Sequence, residues 1–324
     1  MLFALSLLVA VTAVDDPATF TNPVAPRGAD PWVVREGDAY HYCFSARNRV
    51  WVASADNLLD VFTAQPVVAW RPPRGTDHSR EIWAPELHRL GDAWYVYVAA
   101  DDGRNENHRM QVLRRADDDP AGPFERVGEL PLPDDKWAID GTVLQHAGQL
   151  YFVWSGWPGK VDVTQRLYIC RLQDPATPVG PRVEISRPEH PWERHGEPTV
   201  NEGPTALVHD GRTFIVYSAS GSWGDHYCLG MLELVGDDPL QADAWRKLPE
   251  PVFAGTDKVI SPGHASFTTV GDQHWIVYHV ARHPGAGWDR LIHMQPFTFD
   301  EAGRPDFGAP LPPDTPWPAP KSRK

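Results

Sequence analysis

The chain has 324 residues, 42% of them hydrophobic, and a formal net charge of −13. That length admits two ordinary domains or one large all-β domain, and the acidic balance argues against nucleic acid or an anionic membrane surface as a partner, because phosphates need neutralising cations. Cys43, Cys170 and Cys228 stand at wide spacings that fit neither a disulfide framework nor a zinc pattern, so buried free thiols are expected.

Residues 1–15 read as a secretory signal peptide. Leu2 to Val14 is an apolar run broken only by Ser6 and Thr12, too short to span a bilayer, with small residues around Ala13 for cleavage. It lacks the usual Lys or Arg at its start, but the pattern implies a secreted or periplasmic protein.

From residue 20 to residue 310 one plan repeats five times: a small polar motif, a strand, a Gly-containing turn, then an aromatic-rich strand. The turn glycines are Gly37, Gly91, Gly148, Gly211 and Gly271, separated by 54, 57, 63 and 60 residues. The strands after them read YHYCFSA, WYVYVAA, LYFVWSG, FIVYSAS and HWIVYHV. A third apolar strand follows in each unit, then a loop rich in Pro, Asp and Gly with a short outer strand. Units of that length and content are four-stranded antiparallel propeller blades, so the predicted fold is an all-β five-bladed β-propeller in a single domain. Residues 311–324, rich in Pro and ending in Lys and Arg, are expected to be a disordered tail.

A propeller lines its central channel with the innermost strand of each blade, so the residues opening equivalent strands converge. Here these are Asp30, Glu86, Asp140, Glu202 and His264. Carboxylates crowded in a narrow channel repel one another and lose water, so at least one should keep its proton. A protonated carboxyl beside an ionised one is the arrangement that glycoside hydrolysis needs. The same residues could instead hold a metal or cap strand ends.

The motifs Ala29-Asp30-Pro31, Trp83-Ala84-Pro85-Glu86, Ala138-Ile139-Asp140-Gly141, Asn201-Glu202-Gly203-Pro204 and Pro262-Gly263-His264 together resemble glycoside hydrolase family 43, a family of five-bladed propellers. The resemblance spans nearly all of residues 20 to 310. It implies inverting chemistry, with Asp30 as the base that activates water, Glu202 as the acid that protonates the leaving oxygen, and Asp140 as the carboxylate that keeps the acid's pKa high. The segments ADDGRNENHRM, YFVWSGWPG and YSASGSWG, with Gly287-Trp288-Asp289-Arg290, resemble exo-acting α-L-arabinofuranosidases. This implies release of terminal L-arabinofuranose from arabinan or arabinoxylan side chains. β-Xylosidase action on the same scaffold and a non-catalytic carbohydrate-binding propeller are the alternatives. Either way the expected partners are plant cell-wall oligo- or polysaccharides containing arabinose or xylose.

By the same resemblance His264 supports a channel calcium ion through a water, or is simply a hydrogen-bonded structural histidine. Arg290 reaches the sugar or the acid carboxylate, unless it is a surface arginine. Trp83 is a stacking wall for the pentose or a core residue, with Trp32, Trp137, Trp157 and Trp223 as weaker wall candidates. Glu86 is either a substrate contact or a strand-end hydrogen-bond partner. His108 and Arg109 lie within one resembling segment without a role.

Overall fold

Gly37, Gly91, Gly148, Gly211 and Gly271 all have positive φ, between 57° and 75°. Each sits in a two-residue loop that closes the first hairpin of its repeat. Such loops match the right-handed strand twist only with positive φ, which glycine adopts without a Cβ penalty. The computed structural model describes residues 18–160 and 163–321. In it each hairpin extends into a four-stranded antiparallel sheet, and five such sheets form the blades of a β-propeller, as the repeat predicts.

The first strand of each blade is Trp32–Glu36, Arg80–Leu90, Ala138–His146, Asn201–His209 and Ile260–Val270. Each packs against the first strands of the blades on either side, so the five close a ring around the channel. The aromatic-rich second strands fill the wedges between blades. Trp94 lies between blades one and two, Trp154 between two and three, Tyr217 between three and four, Tyr278 between four and five, and Trp275 between five and one. Burying one large apolar side chain is worth about 1.5–3 kcal/mol, so five such clusters hold the blades in fixed orientation. Cys43, Cys170 and Cys228 are buried and free, as expected.

The ring closes through blade five. The segment before blade one pairs with strand Arg290–Phe299: the Val24 amide donates to the Ile292 carbonyl at 2.9 Å, and the Ile292 amide donates to the Ala25 carbonyl at 3.0 Å. Asn22 adds a side-chain clamp, its Oδ1 accepting from the Met294 amide at 2.9 Å. Strand Thr19–Phe20 then pairs with Trp317–Pro318.

That pairing corrects the expectation of a disordered tail for residues 311–321. The Leu311 amide donates to Gln295 Oε1 at 2.9 Å, and Trp317 packs on the cluster that contains Phe20. Composition hid this because two apolar anchors sit among prolines, and prolines lower the entropy lost when a segment is laid down. Residues 1–15, read as a signal peptide, lie outside the described residues. Among the described residues no helix is long and apolar enough to cross a membrane.

Candidate active site

In four of the five inner strands the register slips near the start, between Trp83 and Glu86, Ile139 and Thr142, Glu202 and Thr205, and Gly263 and Ser266. Inside each slip one residue has positive φ: Ala84 at 43°, Asp140 at 55°, Gly203 at 52° and His264 at 48°. Asp30, at 49°, stands in the same place just ahead of strand Trp32–Glu36. A bulge re-aims a side chain that a regular strand would point elsewhere. Here it turns Asp30, Asp140 and His264 toward one cavity of about 600 Å³, which Glu202, one residue before its own bulge, also lines.

The bulge register corrects one expectation. Glu86 does not open blade two; the bulged residue there is Ala84, and Glu86 lies two residues deeper. It is 3% exposed and does not line the cavity. Its Oε2 is 2.9 Å from Nε2 of His88, and burial, with Asp140 adding to it, raises its pKa well above the carboxylate range. It is a sealed mid-strand group outside the cavity, neither at the strand end nor among the cavity lining.

Asp30 is the most strongly held of the cavity carboxylates. Its Oδ1 lies 3.2 Å from His264 Nδ1, 3.3 Å from His279 Nδ1 and 3.4 Å from Arg290 Nη1. Its amide donates to His279 Nδ1 at 3.1 Å. Burial alone would raise its pKa, but His264, His279 and Arg290 outweigh it and hold the carboxyl well below its usual range. Burial pushes both imidazoles toward the neutral form, His279 down to about 3. Arg290 is therefore the permanent positive charge of the three. The Arg290 side chain is 8% exposed and is fixed by donation to the Ser222 carbonyl at 2.9 Å.

Glu202 and Asp140 have the opposite balance. Burial raises Glu202 to about 7, with Asp30 adding to the rise and the Tyr227 hydroxyl, Arg290 and Ser222 opposing it. Asp140 is raised well above its usual value by burial, then by Glu202 and Asp30, although its Oδ2 accepts from the Gly203 amide at 3.0 Å. Two buried carboxyls that repel each other cannot both ionise cheaply, so the pair holds a proton near neutral pH. The strand beneath Glu202 is anchored by Asn201. Asn201 Nδ2 donates to the buried Glu193 at 3.0 Å, while Ser186 donates to Asn201 Oδ1 at 2.7 Å.

Trp83, Trp137, Trp157, Trp223 and Trp288 supply much of the remaining lining. Trp137 and Trp157 stack at 4.6 Å with planes 8° apart. Trp83 stacks at 4.0 Å on His108, which is fully buried and held by Asp101 at 3.2 Å and the Glu81 carbonyl at 3.1 Å. His108 thus supports a wall residue. Arg109 instead pairs with Asp135 on the exterior. Trp32 is no wall: its indole donates to the Leu87 carbonyl at 2.7 Å and packs beside His88.

Sequence reasoning missed His279, Tyr227 and Ser222. The first two sit in aromatic runs, where they read as core. The one legible signal was His279, a titratable residue inside the buried run WIVYHV.

A calcium ion held from His264 through a water would keep water as most of its ligands. Calcium takes six to eight oxygens, whereas the polar groups around His264 are the Asp30 carboxylate, the Ser218 hydroxyl bonded to its amide at 2.8 Å, and the Arg290 cation. A guanidinium in that position repels a divalent ion. Among the described residues no group of three or more His, Cys, Asp or Glu side chains is arranged to hold a metal.

The sequence model described as glycosyl hydrolases family 43 matches residues 20–305. The chain belongs to glycosyl hydrolase family 43. Within this family it is 36% identical over 278 residues to the extracellular exo-α-(1→5)-L-arabinofuranosidase of Streptomyces chartreusis, covering 82% of this chain and 84% of that protein. It is 30% identical to α-L-arabinofuranosidase B of Pyricularia oryzae, covering 91% of this chain but 64% of that longer protein. The crystal structure of the α-L-arabinofuranosidase from Lactobacillus brevis superposes with a TM-score of 0.84 at 31% identity, over 91% of this chain and 98% of that one. Family membership makes this family 43 propeller a glycosidase and sets aside the purely carbohydrate-binding alternative.

Proposed function

We propose that this glycosidase releases terminal L-arabinofuranose from arabinan or arabinoxylan side chains, with inversion at the anomeric carbon, and that it works outside the cytoplasm. One observation supports the chemistry above all: a single cavity joins Asp30, held ionised by Arg290, to Glu202, held protonated by burial. Asp30 takes a proton from the attacking water, and Glu202 gives one to the leaving oxygen. Inversion requires about 6.5–9.5 Å between the two carboxyls so that water fits under the sugar. Asp140 and Glu202 share a proton, so once one of them is ionised the other is harder to ionise. Arg290 lines the cavity while bonded to Asp30, so it orients the base and lies within reach of sugar hydroxyls. Trp83 presents a ring against which a pentose face can pack.

The arabinose specificity rests on the relatives, whose names specify α-L-arabinofuranosides. Export rests on the apolar N-terminus and on the extracellular naming of the Streptomyces relative. The test is turnover of aryl α-L-arabinofuranoside against aryl β-D-xyloside, with NMR of the first-formed sugar. Preferential arabinose release with inverted configuration is expected. Xyloside preference would move the specificity to the alternative reading, and retained configuration would overturn the two-carboxylate scheme.

A further inference from the structure

Tyr227 is 1% exposed and belongs to no role assigned so far. Its hydroxyl donates to Glu202 Oε1 at 2.9 Å. Its ring stacks on His279 at 5.5 Å with planes 9° apart. The ring also lies where residue 263 would place a side chain: a Cβ there would meet it at 2.3 Å, so only glycine fits in Pro262-Gly263-His264. The glycine of that motif therefore exists to admit the tyrosine.

A phenol has a single O–H to donate, so the Tyr227 proton is directed at Oε1 of Glu202. We propose that this bond fixes the catalytic proton of Glu202 on its other oxygen, Oε2. The proposal rests on Glu202 being the acid.

The physical reason is acceptor capacity. An oxygen that accepts the phenol proton is best served as the carbonyl oxygen of a protonated carboxyl, which leaves the hydroxyl on Oε2. As Glu202 gives its proton to the leaving oxygen, the Tyr227 bond becomes charge-assisted and shortens, so it stabilises the acid most when it is losing its proton. Tyr227 touches Glu202 rather than substrate, so it is a positioning residue.

The test uses the intact enzyme and whichever glycoside, arabinoside or xyloside, the wild type turns over. A wild type inactive on both would fail the functional reading and not this one. Tyr227→Phe keeps the ring over Gly263 and removes only the hydroxyl. It should cut kcat/KM about tenfold on an oligosaccharide, the usual weight of one hydrogen bond to a charged group, and far less on a dinitrophenyl glycoside that needs no protonation. Losing a donor to the ionised carboxylate raises the acid's pKa, so the basic limb of the pH profile should move up by roughly half a unit or more. Replacing Tyr227 by 3-fluorotyrosine makes the phenol a stronger donor and should move the limb down; it carries the test alone if Tyr227→Phe does not fold. A limb that stays put or moves the opposite way in either protein, or equal losses of Tyr227→Phe on both substrates, overturns the proposal.

Discussion

Glu202 and Glu86 are both glutamates of inner strands, both buried, and both pushed by burial toward keeping a proton. They differ by three residues of register. Glu202 stands one residue before the bulge of blade four, and Glu86 two residues after the bulge of blade two. The first lines the cavity opposite the ionised Asp30 and receives the Tyr227 hydroxyl. The second meets His88, itself pushed down to about 3 and therefore neutral. A raised pKa alone does not make a catalytic acid. Access to a cavity and an ionised partner across it do.

Substitution should widen this contrast. The largest effects belong to the cavity pair. Asp30→Asn should lower turnover of every glycoside by about 10²–10⁴-fold, with partial recovery in azide, because the base is needed whatever leaves. Glu202→Gln should cost as much on natural oligosaccharides and spare aryl glycosides with good leaving groups. Full activity of Asp30→Asn, or equal losses for Glu202→Gln on both substrate types, would reject the role in question.

A smaller effect comes from pH. Glu202 must be protonated, so activity should fall as pH rises through about 7. Asp30 must be ionised, and its pKa lies below the carboxylate range, so the acid limb should come only at strongly acidic pH. A kcat/KM profile measured across mildly acidic pH should be a broad plateau, and an acid limb inside the ordinary carboxylate range would place the base elsewhere.

The smallest effect is expected at Glu86. A glutamine there has the shape and neutrality of the protonated acid, so kcat/KM should stay within about threefold of wild type. A loss as great as that of Asp30→Asn would erase the distinction between the two glutamates.

The blade count was legible because the hairpin glycines impose a backbone requirement that few other residues meet. Asp30, Asp140 and Glu202 were legible as a set because each stands in a motif beside Gly or Pro. The register was not. The structurally equivalent residues are Asp30, Ala84, Asp140, Gly203 and His264, and nothing chemical unites them, so aligning the repeats by carboxylates misplaced Glu86 by two positions and Glu202 by one. Tyr227 and His279 stayed hidden for another reason. Their rings pack like core residues while their polar atoms serve the site, and alternation of apolar residues reports only the first property.

The clasp that closes the propeller has a practical reach beyond folding. The Gly28 amide donates to the Arg290 carbonyl at 3.2 Å, so the last rung of the clasp joins the residue two before Asp30 to the residue that charges it. Mechanical integrity of the ring and alignment of the base are thus in series. Proteolytic trimming that removed the chain as far as Asn22 would leave every cavity side chain and the Gly28 rung in place, yet it would take away the clamp on Met294, in the strand that begins at Arg290.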